Sequence, residues 1–423
     1  MKSIRIIAII VISSLLGYYV GVNKITYDWK TYVPTIQVAS KEPPPSVQAV
    51  DFAPFWTVMQ KIESDYYDKT AIDPQKMLNG AISGMVSSLD DPFTLYLPPQ
   101  QNTDFKQGLA GKFEGIGAEL GMQDRQIIII APLGGSPSEK AGIKAGDAVL
   151  KVDGELTSGW SLQQAVNKIR GPKGSTVVLT VLHKGQTAAQ EITITRDTIT
   201  VKSVTSWIKP VKDISEINSK NLPGDKNAEI AYIRLSQFGD DTNNEWLTST
   251  NKISREIQAG KPVKGVILDL RNNPGGYLTD AVFIASEFIK SGTVVQQADG
   301  HSPNLQLTVS RKGLLTDVPL VVLINGGSAS ASEIVAGALR DHGRATLVGE
   351  KSFGKGTIQQ AEDLGGNAGL HVTIAKWLTP NGTWVGNGKN GQGLTPDVIV
   401  KLDPKDPARD TQLEKAVSVL LGK

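Results

Sequence analysis

Two patterns of apolar residues recur along the 423-residue chain: short apolar runs typical of strands, and longer segments typical of helices. Together these patterns predict a mixed α/β protein. Residues 320–324 are apolar at every position, which is typical of a strand buried on both faces. Asn325 and two glycines end this strand, and residues 331–339 are predicted to form a helix. A second buried strand at residues 266–270 is followed by a glycine turn and a predicted helix at 279–290. This repeated strand–turn–helix unit favours a layered α/β core.

The middle of the chain, residues 115–196, has shorter apolar segments separated by turn residues. Two Ser-x-x-Glu/Gln motifs, which start at Ser136 and Ser161, are capping boxes that predict the first turns of two short helices. Gly142 and Gly171 are suited to end these helices. The pattern predicts a compact β-rich module with strands at residues 117–122, 127–131, 148–152, 176–182 and 191–195.

The N-terminus carries a candidate membrane segment. Lys2 and Arg5 precede a charge-free apolar run at residues 6–22, which is close to the lower length limit for a membrane span. Because no small-residue cleavage site directly follows Val22, an uncleaved signal anchor is favoured over a cleaved signal peptide for residues 1–23. Basic residues before the run predict that the N-terminus lies inside and the rest of the chain outside.

Residues 24–50 include three consecutive prolines and are predicted to be a semi-rigid linker. Two helices are predicted in the following region, residues 51–110. In the second helix, Asp73 is suited to the N-cap and Pro74 to the first turn. Each helix has apolar residues at helical spacing, a pattern typical of a face buried in a core: Phe55, Val58, Met59, Ile62 and Tyr66, then Leu78, Ala81, Ile82, Met85, Val86 and Leu89.

Composition excludes several classes of function. The net charge is +2, from 44 basic and 42 acidic residues, so nothing argues for nucleic-acid binding. The absence of cysteine rules out disulfides, a thiol nucleophile and a cysteine-ligated metal. It does not identify the cellular compartment.

Ser330 is the first candidate for chemistry, because it lies where a buried strand gives way to a helix. At such a position its hydroxyl can project from a sharp turn, and the backbone N–H groups of the first helical turn can stabilise an oxyanion. Glu333 agrees with a helix that begins here. The alternative is that Ser328, Ser330 and Ser332 are only capping and turn residues.

A base for this serine is suggested by the segment GEKSFGKGTIQQ, residues 349–360. None of the four histidines lies in a recognisable triad setting, but a buried lysine can serve as a base when desolvation lowers its pKa. Lys355 stands between two glycines, which permit a tight turn. If residues 357–360 form a strand, Gln359 lies on the same face as Lys355, where its amide oxygen could hold the amine. A surface lysine in a glycine turn is the simpler alternative.

Three motifs, in this order, give the chain a specific resemblance: DLRNNPGG at residues 269–276, GSASASE at 327–333 and GEKSFGKGTIQ at 349–359. Together they resemble the C-terminal processing peptidases, or tail-specific proteases, a family of serine proteases with a Ser–Lys dyad. The resemblance implies that Ser330 is the nucleophile, that Lys355 is the general base and that Gln359 orients the lysine. It also implies an oxyanion hole made by the backbone N–H groups of Ala331 and Gly276. No metal or cofactor is implied.

The β-rich module resembles a PDZ domain in three segments: FEGIGAEL, SPSEKAGIKAGDAVLKVDG and SLQQAVNKIRG. PDZ domains bind an extended peptide C-terminus by strand addition, with backbone N–H groups receiving the carboxylate. A PDZ fold that serves only as a lid or spacer is the alternative. The peptide-binding residues implied by the resemblance are Gly115, Ile116, Gly117, Ala118 and Leu120, with Leu162 and Val166 lining the pocket.

The fold prediction is therefore an α/β (α+β) multidomain protein. A signal anchor or signal peptide (1–23) and a linker (24–50) precede a helical region (51–110), a PDZ domain (111–200) and a Ser–Lys protease core (201–423). The resemblance implies that this core has the layered arrangement of crotonases and Clp proteases. The helical region resembles one that helps dimerisation in some family members, which implies a homodimer.

The predicted function is that of a serine endopeptidase that recognises protein C-termini through its PDZ domain. The expected location is a bacterial cell envelope, with the protease membrane-anchored outside the cytoplasm, or secreted if the N-terminal segment is cleaved. One alternative is a catalytically inactive, membrane-tethered PDZ adaptor. Another is a crotonase-type acyl-CoA enzyme, which shares the glycine-turn oxyanion chemistry.

Overall fold

The structure is a computed structural model that describes residues 50–123, 125–301, 303–386, 392–406 and 408–422. The predicted anchor or signal peptide at residues 1–23 lies outside the described residues, as does nearly all of the predicted linker. Within the described ranges, no helix is both long enough and apolar enough to cross a membrane.

The described part of the N-terminal region contains three α-helices and one short strand: α1 (Ala53–Asp65), α2 (Pro74–Ser87), β1 (Leu95–Leu97) and α3 (Pro99–Leu109). A short 3₁₀ helix at Lys69–Ala71 connects α1 and α2. As predicted, Asp73 caps α2, because its carboxylate accepts the N–H groups of Gln75 and Lys76. The apolar stripes of α1 and α2 were both expected to be buried, but no residue of α1 is buried, and Val86 alone is buried among the residues of α2. The spacing of apolar residues sets which face they share and does not determine what covers that face.

The next part of the chain folds as a β-rich unit on a two-stranded ribbon. In order, its elements are β2 (Lys112–Gly115), β3 (Ala118–Gln123), β4 (Gln126–Pro132), α4 (Pro137–Lys140), β5 (Ala148–Val152), β6 (Glu155–Leu156), α5 (Leu162–Ile169), β7 (Thr176–Leu182), β8 (Gln190–Thr195) and β9 (Asp197–Thr200). Strands β2 and β9 pair antiparallel as the ribbon, and the elements between them enclose a separate apolar core. The five predicted strands and both capped helices are present, with ends within one residue for the strands.

The remaining elements build the core that carries the candidate site. In order, they are β10 (Val204–Pro210), β11 (Glu229–Leu235), α6 (Thr242–Gln258), β12 (Val263–Asp269), α7 (Leu278–Ala285), β13 (Thr293–Ala298), β14 (Leu305–Thr308), β15 (Leu320–Ile324), α8 (Ala331–Asp341), β16 (Thr346–Gly349), β17 (Thr357–Gly365), β18 (Ala368–Leu378), β19 (Val398–Ile399) and α9 (Thr411–Leu421). A six-stranded sheet has the order β10–β11–β12–β15–β16–β19. Its strands from β11 to β19 are parallel, and β10 is antiparallel to β11.

Both faces of this sheet are covered. Helices α6, α7 and α8 pack on one face, which includes Leu268 and Val322. Helix α9 packs on the other face, against Ile267 and Val321. Because alternate residues of β12 and β15 meet opposite layers, residues 266–268 of β12 and every residue of β15 are apolar.

A second sheet stands beside the first and has the order β1–β18–β13–β14, with β17 also pairing with β18. Its Trp377 is fully buried in the same apolar core as α8. Strand β1 brings the N-terminal region into this sheet, where Leu95 pairs with His371. The carboxyl end of β15, the start of α8 and the start of β17 therefore meet between the two sheets.

Candidate active site

Ser330 lies in the turn between β15 and α8. Its φ is +53° and its ψ is −115°, a conformation that non-glycine residues seldom adopt, so the turn is strained. Two buried serines hold the turn in place. The Ser328 hydroxyl donates to the Leu270 carbonyl at 2.8 Å, and the Ser332 hydroxyl donates to the Asn273 carbonyl at 2.9 Å. These two serines therefore have the turn-forming role, whereas Ser330 is half-buried and lines a cavity.

The glycine turn after β12 forms the wall opposite Ser330. Asn273 is fully buried, and its side-chain oxygen accepts the N–H group of Gly275 at 2.9 Å. A Cβ atom at Gly275 would lie 2.9 Å from the Cβ atom of Ser330. At Gly276, where φ is +140°, a Cβ atom would lie only 1.8 Å from the Phe238 carbonyl oxygen. Both glycines are therefore required by close backbone packing.

Two backbone N–H groups beside Ser330, those of Gly276 and Ala331, donate to no acceptor within the described residues. The next N–H group in the glycine turn, that of Tyr277, is already paired with the Phe238 carbonyl at 3.1 Å. Ala331 is the first residue of α8, where N–H groups have no partner inside the helix. Such donors, with the positive end of the helix behind one of them, are suited to a developing oxyanion.

Glu333, in the first turn of α8, connects the serine turn to the loop that carries Lys355. Its carboxylate is fully buried and accepts four hydrogen bonds. Three come from the N–H groups of Ser330 (2.9 Å), Gly354 (2.7 Å) and Lys355 (2.9 Å), and the fourth comes from the Ser352 hydroxyl (2.5 Å). Burial raises the pKa of this carboxyl, and the four donors oppose the shift because they favour the charged form. One side chain thus fixes the backbone of both candidate dyad residues.

The loop that carries Lys355 needs the glycine on each side of it. Gly354 has a φ of +94°, which favours glycine. A Cβ atom at Gly356 would lie 2.4 Å from the indole nitrogen of Trp384. The carbonyl of Lys355 accepts the indole N–H of the buried Trp377 at 2.8 Å, which anchors the loop to the second sheet.

The Lys355 side chain is largely shielded from water. Its Nζ atom lies 5.1 Å from the centre of the Phe93 ring. Burial lowers the pKa of the Lys355 ammonium, and the charges of Asp91 and Glu333 act against this shift. The described residues include no hydrogen bond between Nζ and the Ser330 hydroxyl, and such bonds often shorten only when substrate binds.

Gln359 has its side-chain amide held by two threonines. Its nitrogen donates to the hydroxyl groups of Thr357 (2.8 Å) and Thr373 (3.0 Å), which leaves the amide oxygen as the end available to another donor. A β-bulge between Ile358 and Gln359 interrupts the simple alternation of strand faces. The sequence analysis placed Gln359 on the same face as Lys355 by simple strand alternation. Despite the bulge, the two residues line the same cavity.

All five residues predicted for catalysis meet at one cavity of about 380 Å³: Ser330, Lys355, Gln359, Gly276 and Ala331. The rest of its wall is mostly apolar and includes Phe93, Leu95, Phe105, Leu109, Ile334, Ile358 and Trp377. The site is therefore assembled from the N-terminal region and from both sheets of the core.

One histidine, His371, also lines this cavity. Its pKa is lowered by burial and by the positive charges of Lys355 and Lys106. Two other histidines are engaged elsewhere: His183 contacts Asp147 at 2.8 Å in the β-rich unit, and His342 contacts a backbone carbonyl at 2.7 Å.

The residues predicted to bind a peptide C-terminus lie together in the β-rich unit. Gly115 ends β2, Ile116 and Gly117 connect it to β3, and the N–H groups of Ile116 and Gly117 donate to no described acceptor. Ala118 and Leu120 follow in β3, while Leu162 and Val166 lie on α5, which packs against β3. Leu120 and Val166 are half-buried and Leu162 is exposed, so this groove has an apolar lining.

Four residues that build the site were not found as site residues from the sequence: Asp91, Phe93, Asn273 and Glu333. Glu333 lies in the motif GSASASE and Asn273 in NNPGG, so the sequence could have drawn attention to both residues. Their roles depend on hydrogen bonds between segments that are distant in the chain. Asp91 and Phe93 lie in the predicted helical region and showed no signal of their own.

Comparison with protein families divides the chain into three matched parts. Residues 229–400 match the model for peptidase family S41, residues 128–182 match a PDZ domain, and residues 10–101 match the N-terminal domain of the activating protease CtpB.

Relatives match over most of the chain. The carboxy-terminal processing protease CtpB of Bacillus subtilis is 35% identical, over 98% of this chain and 82% of the relative. A carboxy-terminal-processing protease of Bartonella bacilliformis is 37% identical, over 82% of this chain and 75% of the relative. The solved photosystem II D1 C-terminal processing protease is 30% identical with a TM-score of 0.50, over 87% of this chain and 91% of that one. This chain therefore belongs to peptidase family S41, among the carboxy-terminal processing proteases.

Proposed function

We propose that Ser330 is the nucleophile and Lys355 the general base of this serine endopeptidase of the carboxy-terminal processing type. The observation that carries the assignment is the meeting of Ser330, a shielded Lys355 and two unpaired N–H groups at one cavity. The strained serine turn and the buried Glu333 support it, because both hold reactive groups in fixed positions.

The reaction follows from these positions. The neutral amine of Lys355 takes the hydroxyl proton as Ser330 Oγ attacks the carbonyl carbon of the scissile peptide bond. The oxyanion accepts the N–H groups of Gly276 and Ala331. Lys355 then gives its proton to the leaving amine, and an acyl-enzyme on Ser330 remains. Lys355 deprotonates a water molecule that hydrolyses this ester, and the proton returns to the Ser330 oxygen. Gln359 holds the amine through its amide oxygen.

The substrates are proposed to be polypeptides cleaved near their C-termini. The apolar wall of the cavity favours an apolar side chain next to the scissile bond, because a charged group would lose its hydration there. The free N–H groups of Ile116 and Gly117 suit a terminal carboxylate, and β3 offers an edge to an added strand. Peptides with amidated C-termini should therefore bind this unit less tightly than free acids.

The dyad is tested by steady-state peptide cleavage with Ser330→Ala, Lys355→Ala and His371→Gln. The first two should abolish turnover while thermal unfolding stays cooperative, since a nucleophile is lost or a proton transfer worth about 10²–10⁴-fold is removed. His371→Gln is the matched control for the other base at the cavity and should keep most of the activity. If His371→Gln is dead and Lys355→Ala is active, the assignment of the base is wrong.

The same variants address the inactive PDZ adaptor, which the family membership does not favour. An adaptor would bind peptide C-termini equally well with and without Ser330 and would cleave none of them. Turnover by the wild-type chain that disappears in Ser330→Ala would exclude the adaptor.

We propose that the protein is attached to a bacterial cell envelope through residues 1–23 and that its protease faces away from the cytoplasm. The support is the charge-free apolar run after Lys2 and Arg5. Fractionation of cells, followed by N-terminal sequencing of the mature protein, tests this. An intact N-terminus in the membrane fraction supports an anchor, a new N-terminus in the soluble envelope or medium indicates a cleaved signal peptide, and recovery in the cytoplasm contradicts both.

We also propose a homodimer formed through α1 and α2. The support is their uncovered apolar surface, in which Trp56 and Val58 are each 58% exposed and Met85 is 66% exposed. Light scattering of the purified protein tests it. A Trp56→Glu variant should shift the mass from two chains to one, and a wild-type protein that is monomeric at all concentrations would contradict the proposal.

A further inference from the structure

A short segment outside the protease core, residues 91–97 with the sequence DPFTLYL, covers the candidate base. It is held there by β1, whose residues pair antiparallel with β18 at Leu95–His371 and Leu97–Gly369. A second attachment follows in α3, where the buried Asn102 side chain donates to the Asn367 carbonyl at 2.9 Å. The segment is therefore fixed against the core on the side of the cavity.

Phe93 is the part of this segment that faces the lysine. Its ring centre lies 5.1 Å from Lys355 Nζ, and the ring lines the catalytic cavity. The Phe93 N–H group donates to the Asp91 carboxylate at 3.0 Å, so the turn that presents the ring depends on Asp91. An aromatic ring in this position has two effects on the amine: it excludes water from one side, and its π face attracts the ammonium. Exclusion of water is the larger effect, because burial is the leading cause of the lowered pKa of Lys355.

Asp91 is also connected to the other side of the base. Its carboxylate accepts the Thr94 hydroxyl at 2.7 Å, and Thr94 Oγ1 in turn accepts the N–H group of Thr373 at 3.1 Å. The Thr373 hydroxyl accepts the Gln359 side-chain nitrogen at 3.0 Å. A chain of contacts thus runs from Asp91 through two threonines to the residue proposed to orient Lys355.

We propose that Phe93 and Asp91 are positioning residues for the general base, with opposite effects on its charge: Phe93 excludes water and favours the neutral amine, whereas Asp91 favours the ammonium. This inference rests on the proposed role of Lys355. It makes the N-terminal region a part of the catalytic site, in addition to any role in assembly.

The surroundings of Lys355 support opposite effects of Phe93 and Asp91 on the charge of its amine. Burial lowers the pKa of the ammonium, and Asp91 and Glu333 raise it. Burial raises the pKa of Asp91, but hydrogen bonds with Thr373, Thr94 and the Phe93 N–H group, together with the charge of Lys355, lower it by more, so Asp91 is ionised at neutral pH. His371 also senses the charge of Lys355, and its pKa is lowered by burial and by the charges of Lys355 and Lys106.

The test is the pH dependence of kcat/KM, whose acid limb reports the pKa of the base in the free enzyme. In Phe93→Ala, water reaches the amine, so the acid limb should move to higher pH by about 1 unit. In Asp91→Asn, an opposing charge is lost, so the limb should move to lower pH by about 0.5–1 unit. A residue with a merely structural role would lower the rate at every pH without these shifts.

Asp90→Asn is the matched control, because Asp90 is the neighbouring exposed carboxylate and its φ of +52° is tolerated by asparagine. Its profile should match the wild type. Phe93→Leu keeps part of the cover and should shift the limb upward by less than Phe93→Ala. If Phe93→Ala does not unfold cooperatively, the predicted shifts of the acid limb are still tested by Phe93→Leu, to higher pH, and by Asp91→Asn, to lower pH.

Shifts in the same direction, or no shift in either variant, would overturn this inference. If this happens while Lys355→Ala is inactive, the dyad stands and only the roles of Phe93 and Asp91 are wrong. If Lys355→Ala remains active, the proposed base itself is wrong, and the two failures are thereby distinguished.

Discussion

At the scale of single residues, the site combines strain with fixed hydrogen bonds. Ser330 has a backbone conformation that costs about 1–3 kcal/mol for a residue with a side chain. Glu333 offsets part of this cost by accepting the Ser330 N–H group inside the protein. The strain is tolerated because it points the hydroxyl at the cavity, and buried serines on both sides keep the turn from relaxing.

Asp280 is a second buried carboxyl near the glycine turn, and it carries an unmet hydrogen-bonding need. It is 6% exposed, and one of its oxygens accepts the Asn243 side-chain nitrogen at 2.8 Å. Its other oxygen and the Asn243 side-chain oxygen have no partner within the described residues. Burial raises the pKa of Asp280 to about 6, and the charge of Asp240 adds to the shift.

We expect Asp280→Asn to stabilise the protein above pH 6. Because the folded-state pKa lies above the unfolded value near 4, wild-type stability falls as pH rises from about 4 through 6 and the buried carboxyl ionises. An asparagine cannot ionise, and its NH₂ group can donate to the Asn243 oxygen. Thermal or urea unfolding should show a gain of about 2 kcal/mol at pH 7.5 and almost none at pH 4.5.

The exposed Asp240→Asn change serves as the comparison, and it should stabilise less. If Asp280→Asn and the wild type have the same free energy of unfolding at every pH, then ionisation of the Asp280 carboxyl does not destabilise the protein.

Much of the site could be predicted at this scale because its reactive residues lie in short motifs. Lys355 stands between two glycines, and Ser330 follows the strand end marked by Gly326 and Gly327, features that are visible in the sequence. Phe93 could not be found, since its contact with Lys355 depends on the pairing of β1 with β18, which are more than 270 positions apart in the chain. Pairing between distant short strands leaves no periodic signal.

At the scale of elements, the glycine turn after β12 is positioned by a neighbouring loop. The N–H of Phe238 donates to the Gly275 carbonyl at 2.9 Å, and the Phe238 carbonyl accepts the Tyr277 N–H group at 3.1 Å. These two hydrogen bonds form an isolated parallel β-bridge between Phe238 and Gly276. The Gly276 N–H group itself has no acceptor among the described residues. The proposed oxyanion donor, the Gly276 N–H group, is thus oriented by the loop after β11.

Gly276→Ala should remove this donor without unfolding the core. The added Cβ atom would lie 1.8 Å from the Phe238 oxygen, so the turn must move. Loss of one oxyanion donor lowers kcat by about 10²–10³-fold with a smaller effect on KM. Stopped-flow acylation with an ester substrate measures the affected step directly.

Gly326→Ala is the control for this change, because a Cβ atom there meets nothing closer than 3.9 Å. It should acylate at the wild-type rate. Equal rates for the two alanine variants would mean that Gly276 does not donate to the oxyanion.

Long strands were predicted well, whereas the helix predicted at residues 279–290 ends at Ala285, and the surroundings of the elements were predicted less well. The strands at 320–324, 148–152 and 176–182 agree with the structure at both ends. Strand β1 and helix α3 were missed, because β1 has only three residues and α3 has few apolar ones. The apolar face of α1 was found, but its burial was wrong, since amphipathic spacing does not identify a partner.

At the scale of the whole molecule, the β-rich unit is inserted at one point of the protease. Gly115 in β2 pairs with Asp197 in β9, so the chain leaves and re-enters at adjacent positions. The unit between them has its own apolar core. This connection resembles a hairpin whose turn has been replaced by a folded unit.

Replacing residues 116–196 with an Asn-Gly turn should therefore leave a folded protease core. The turn closes the β2–β9 ribbon as a hairpin. The shortened protein should unfold cooperatively, and Ser330 should still react with a fluorophosphonate probe. The wild-type preference for peptides with a free C-terminal carboxylate over amidated peptides should disappear in competition assays. A preference retained after excision would place C-terminal recognition in the protease core.

The buried carboxylate of Glu333 has a consequence for the life of the chain before it is fully folded. This carboxylate accepts N–H groups from both the Ser330 turn and the Lys355 loop. The position of each segment therefore depends on the other segment being folded. We therefore expect a nascent polypeptide that lacks the later segment to carry Ser330 without an assembled dyad. Peptidase activity should therefore appear only after both segments have folded onto Glu333.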